Sequence, residues 1–345
     1  MTFDEGLANY CIRQARDGTA KQRRLAEASV CLLKLTKILP AVGDINIEEA
    51  IGQLNPEYLE KIRSSSMLPP KTITFITSST KARMNEEILL MKQEKLLELS
   101  TVSALALLQS GKHAHAMLAA QQFLVLSGDI YGVNDLRLIP AYSLLAEICV
   151  GLNKHREADQ HLQKANWVVK RNQEDKTINH VFSRLYRAMG LLEASKGNTD
   201  DASRLFAEQV FYASQWAGTE SIGAASGYFN LANMAAREPG LMQVASSFYL
   251  RTLDCWLLLL KDEKLQVPLL EKGETFNMLR SILETLESLS PESASTAKAL
   301  TTLAWFSERV GEPHEALKSR ATELVRKLKL SDCNLLRYVS QSLCL

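Results

Sequence analysis

The chain has 345 residues, of which 46% are hydrophobic and 23% charged, with a formal net charge of +1. The apolar content is enough for a substantial core, and the charge gives no global field for nucleic acid. No apolar run approaches the ~20 residues that span a bilayer; the longest, Cys255-Trp-Leu-Leu-Leu-Leu260, reads as part of a buried helix.

The N-terminus, Met1-Thr-Phe-Asp-Glu5, lacks a basic segment followed by an apolar one, so no secretory signal is expected. Residues 4–39 carry apolar side chains at helical spacing: Leu7, Cys11 and Ala15, then Leu25, Ala28, Leu32 and Leu35. Asp17-Gly18-Thr19 divides the run in two. The polar side is basic, with Arg13, Arg16, Lys21, Arg23, Arg24, Lys34 and Lys37 against Asp17 and Glu27. Such a face is either simply solvated or meets an acidic polymer. Pro40 ends the helix, and residues 47–63 read as a short helical stretch, so 1–63 form an N-terminal helical region.

Residues 64–82 look least globular. Ser64-Ser-Ser66, Pro69-Pro70 and the hydroxyl-rich run to Thr80 argue against helix and for a linker or docking arm. Helical pattern returns at Met84. From there residues 83–345 read as an array of hairpins.

The array is clearest between Ile139 and Leu260. Each first helix carries a tyrosine with a small residue four later: Tyr142 and Ala146, Tyr186 and Gly190, Tyr228 and Ala232. Residues four apart share a helix face, so the large side chain fills a seam and the small one lets the backbones approach. Turns follow at Asn153-Lys-His155, Gly197-Asn-Thr199 and Pro239-Gly240. Second helices open on Ala158, Ala202 and either Val244 or Ala245, with Leu162, Phe206 and either Phe248 or Tyr249 four later. This is the tetratricopeptide pattern, and the expected fold is an all-α helix-turn-helix superhelical solenoid. Ala116, Ala158, Ala202 and Ala245 are spaced 42, 44 and 43 residues apart, against the usual 34. The excess is expected in longer helices or in loops at 127–135, 171–175 and 217–219. A final hairpin, with Ala297 to Ala304 and then Ala316, leaves room for an inserted helix near 274–290. Residues 334–345 would form a C-terminal capping helix.

Nothing in the chain points to catalysis. There is no Gly-rich phosphate loop and no nucleophile-base motif. The six cysteines, Cys11, Cys31, Cys149, Cys255, Cys333 and Cys344, have no close pair and suit free buried thiols. His113 and His115 point different ways on a helix, and His155 and His161 flank a hairpin, where surface placement is expected. No catalytic residue, cofactor or metal site is expected.

Beyond the generic signature, the chain carries Asp129-Ile-Tyr-Gly132, Leu138-Ile-Pro-Ala-Tyr142, Leu144-Leu-Ala-Glu147, Ala165-Asn-Trp167, Phe211-Tyr-Ala-Ser214, Gly218-Thr-Glu220 and Gly227-Tyr-Phe-Asn-Leu-Ala-Asn233. In these it resembles the tetratricopeptide region of the ciliary family known in animals as zinc finger MYND domain-containing protein twelve. The resemblance covers about two-fifths of the chain. It implies a non-enzymatic scaffold subunit of the axoneme of a motile cilium or flagellum, held in the cytoplasm before assembly. The implied partners are the dynein heavy chain of a single-headed inner arm, a sister tetratricopeptide protein and doublet microtubule proteins, with neither nucleic acid nor membrane. The animal family's MYND finger needs clustered Cys and His. This chain has only Cys11 and Cys31 before His113, so the zinc function is not carried over.

The first-helix face is the expected partner surface, with Glu147, Arg187, Phe229, Asn230, Asn233 and Trp305 as candidates. Aromatic and arginine side chains are the usual interface anchors. Phe229 sits one step round the helix from Tyr228, off the core stripe, though burial of Phe229 and Trp305 between repeats is an equal alternative. The rival function is a co-chaperone adaptor that clamps a chaperone's C-terminal carboxylate with Arg187, Asn230, Asn233 and Lys298. Leu191 stands where that clamp uses Asn.

Overall fold

A computed structural model describes residues 3–17, 19–36, 38–39, 46–55, 78–172, 179–262 and 269–328. Among them every regular element is helical, with no strand. The chain divides into two units, Met1–Asn172 and Gln173–Leu345.

The first unit is built from antiparallel helix pairs. Helices α1 (Phe3–Asp17) and α2 (Ala20–Thr36) pair with each other, and the short α3 (Ile47–Gln53) packs on α2. Asn46 caps α3 by accepting from the Glu49 N–H at 3.2 Å. The long α4 (Ser78–Gln109) pairs with α5 (His113–Tyr131). A 3₁₀ turn, Leu136–Leu138, then leads into α6 (Ile139–Gly151), which pairs with α7 (His155–Arg171). Leu7, Cys11, Leu32, Leu96, Leu107, Ala120 and Leu145 lie in one core that reaches from α1 to α6. Arg24 on α2 pairs with Asp129 on α5.

The second unit repeats the scheme. Helices α8 (Asn179–Lys196) and α9 (Thr199–Ala217) form one hairpin, and α10 (Ile222–Arg237) and α11 (Met242–Lys261) the next, with α10 packed on α9. The inserted helix α12 (Leu269–Leu289) packs chiefly on α13 (Ala294–Val310), which pairs with α14 (Glu315–Lys327). Thr275, Met278, Leu279, Ile282, Leu283 and Leu286 make α12 amphipathic, all six being buried. The rings of Trp256 and Phe276 both stand edge-on to Phe306, with centroids 5.4 and 5.3 Å away.

The small residues occupy the closest approaches. Ala146, Ala158, Ala202, Ala232 and Ala245 are fully buried. A Cβ on Gly190 would stand 2.5 Å from the Phe206 ring, and one on Gly227 would stand 2.5 Å from Val210. Turns use the left-handed region, as at Gly197 with φ +86°. At the α6–α7 turn Asn153 takes that role with φ 57°, as Asn tolerates better than most residues.

Several expectations are corrected. Helix α4 begins at Ser78, inside the 64–82 stretch expected as an arm, because Ser and Thr cost little in a first helical turn. Residues 64–77 and the expected cap at 334–345 lie outside the described residues. Helix α5 runs through Ser127 and Gly128, where a loop was expected, to Tyr131. The second helices of these hairpins are 19, 17, 19 and 20 residues long, and longer helices were one of the two expected places for the extra length. The register of α11 is fixed by Ala245 and Tyr249, which are buried, while Val244 is exposed. His155 and His161 are partly exposed on α7.

Two outcomes follow for solution measurements. Gly190→Ala should lower unfolding free energy by about 1–3 kcal/mol in urea titration, through overpacking against Phe206. Burial pushes the thiols of Cys11, Cys149 and Cys255 up to about 11. At pH 8 they should therefore react with iodoacetamide far more slowly in the native protein than in urea, as read by peptide mass spectrometry.

Candidate functional site

The six candidate residues do not share one unit. Glu147 is half-buried on α6 of the first unit, and the other five belong to the second.

Arg187 projects from the middle of α8. Its Nη1 donates to Ser226 Oγ on α10 at 2.9 Å and pairs with Glu274 on α12. Gln209 on α9 donates through Nε2 to the same Ser226 oxygen at 3.4 Å. Asn230 Nδ2 on α10 in turn donates to Gln209 Oε1 at 3.1 Å, and Ser183 Oγ on α8 donates to the Gln209 carbonyl at 3.2 Å. Gln209 and Asn230 are both buried. These groups form one polar network across α8, α9, α10 and α12, as buried polar groups require.

Asn233 accepts from the Tyr249 hydroxyl at 2.8 Å. Burial raises the Tyr249 pKa, and a hydrogen bond with Thr285 on α12 opposes the rise. Phe229 is half-buried against the core, its ring 6.1 Å from that of Tyr249. Position 229 faces α11 instead of standing clear of the core stripe. Trp305 is likewise half-buried, against two core clusters. Helix α12 thus meets the expected partner face at two places, Glu274 on Arg187 and Thr285 on Tyr249. It is also tied to α14 through Glu287 and Arg320 at 2.7 Å.

The face therefore holds helices together with its polar groups. Among the described residues no group of three or more His, Cys, Asp or Glu is placed to hold a metal ion. His113 lies across Gly151, where an added Cβ would come within 2.6 Å of the ring. Burial, followed by the nearby Lys164, lowers the pKa of His161. No described helix is long and apolar enough to cross a membrane. The chain matches no protein-family model.

Sequence reasoning did not single out the exposed aromatic side chains as sites. Trp167, Phe211 and Trp216 are 51%, 53% and 60% exposed. Phe211 lies edge-on to Tyr212, which stacks on Tyr186 at 5.2 Å. A helical wheel of α7 or α9 places Trp167 and Phe211 opposite the small and apolar positions, and that was the available signal.

The Arg187–Glu274 pair can be measured directly. A double-mutant cycle of Arg187→Ala and Glu274→Ala, read by urea unfolding, should give a coupling of about 0.5–3 kcal/mol. Additive effects would mean that the Arg187–Glu274 pair is not formed in solution.

Proposed function

We propose that this protein is a non-catalytic scaffold of the motile-cilium axoneme, attached to a single-headed inner dynein arm. In this reading its hairpins are tetratricopeptide repeats stacked as a solenoid. What supports it is the resemblance to that ciliary family in the residues between Asp129 and Asn233, several of which lie outside the generic repeat signature. They also have specific places in the fold. Asp129 pairs with Arg24, the Tyr131 ring carries the Arg137 guanidinium at 3.9 Å, and Asn230 joins the buried network.

The mechanism is structural. Paired helices present large rigid faces, and two weak contacts on one body raise effective concentration and hold an arm better than either alone. The N-terminal basic face supplies a contact to an acidic neighbour that weakens with salt. Force comes from the heavy chain. The partners are that heavy chain, a sister repeat protein and doublet microtubule proteins.

The chaperone-adaptor reading fares less well. Its four clamp groups are already engaged: Arg187 by Glu274 and Ser226, Asn230 by Gln209, Asn233 by Tyr249, and Lys298 by Asp254. A carboxylate entering here would compete with Glu274 for Arg187, with Asp254 for Lys298 and with Gln209 for the Asn230 amide.

Tagging and depletion in a flagellated cell test the proposal. The tagged protein should co-purify with axonemes, and depletion should remove one class of inner arm and slow the beat. Residence only in the cell body, or a normal beat with every inner arm present, rules it out. Capture of a chaperone C-terminal peptide only when its carboxylate is free would favour the adaptor.

A further inference from the structure

Helix α7 packs inward through Ala158, Leu162, Ala165 and Val168. At about 100° per residue its opposite side is a sector centred on Trp167, holding Arg156, Gln160, Gln163, Lys164, Lys170 and Arg171. All seven residues are exposed. The Arg171 guanidinium lies 5.2 Å from the centre of the Trp167 ring. None of the four cations forms an ion pair among the described residues. The two acids of the helix lie at the edges of the sector and are engaged. Glu157 accepts from Lys154 at 2.9 Å, and Asp159 accepts from Gln163 at 2.5 Å.

The sector thus combines a half-exposed tryptophan with four positive charges and no negative one, over about 22 Å of helix. Tryptophan and arginine are the side chains that most often carry interface energy. A large apolar side chain left in water among like charges gains from a partner that covers the ring and neutralises the cations.

We propose that this face of α7 binds an acidic segment of another protein, with an apolar side chain on Trp167 and carboxylates against Arg156, Lys164, Lys170 and Arg171. Charge complementarity selects the occupant. A polynucleotide fits less well, because a chain of net charge +1 offers it no wider field. Arg171 also sits over the ring that a base would stack on. A lipid surface fits less well too, since the sector has a single large apolar side chain to insert. The inference is independent of the axonemal reading.

The test is fluorescence anisotropy of the full chain with a labelled peptide of Glu and Asp around one central Phe. Its amide counterpart, with Gln and Asn in place of the acids, and poly(U) RNA serve as comparisons. The acidic peptide should bind, more weakly as salt rises, and at least about tenfold tighter than the amide peptide. Lys164→Glu with Lys170→Glu, and separately Trp167→Ala, should each weaken binding about tenfold or more while leaving helicity and thermal unfolding unchanged. Failure of the acidic peptide to bind, equal binding of the amide peptide, or unaltered binding by the variants overturns the proposal. Tighter binding of poly(U) overturns it in favour of nucleic acid.

Discussion

Gly190 has no Cβ, and the Phe206 ring stands where one would be. This contact and its counterpart between Gly227 and Val210 decide how near the helices of the second unit come to one another. Close approach brings the side chains flanking each seam within hydrogen-bonding reach. Arg187, Gln209, Ser226 and Asn230 can then share contacts across three helices, with Glu274 reaching them from a fourth. With wider spacing the same polar groups would be buried without partners, at a cost of about 1–3 kcal/mol each.

The network in turn constrains the fold's alternatives. Apolar helix faces tolerate sliding, whereas a buried glutamine with defined donors and acceptors does not. Gln209 gives its amide to Ser226, receives Asn230, and its carbonyl receives Ser183. A shift of α9 by one turn would break all three contacts together. In the neighbouring hairpin Tyr249 and Asn233 act similarly, fixing which of two adjacent residues enters the core.

What could be read from the sequence was local. Tyrosine and small residues four apart, turn glycines and second helices opened by alanine all gave the helical pairs their positions, because those signals act within a few residues. The register of α11 stayed open, since Val244 and Ala245 are both acceptable openings and only burial separates them. The candidate face was harder to read. A polar residue on a first helix looks the same whether it awaits a partner or already has one elsewhere in the chain. Arg187 meets its carboxylate 87 residues away, on a helix whose existence was legible but whose docking was not. Trp167, by contrast, lies opposite the buried stripe of α7 on a helical wheel, so its exposure was legible from spacing alone.

That separation of 87 residues also sets an order in time. Most helix pairs here join neighbours in sequence, and such local contacts form early. During synthesis at roughly 5–20 residues per second, Arg187 emerges about 4 to 17 seconds before Glu274. For that interval α8, α9 and α10 are nascent with an arginine whose carboxylate has not yet been made. Until α12 is made, the α8, α9 and α10 helices must keep their register through their own contacts, such as those of Gln209, without the carboxylate of Glu274.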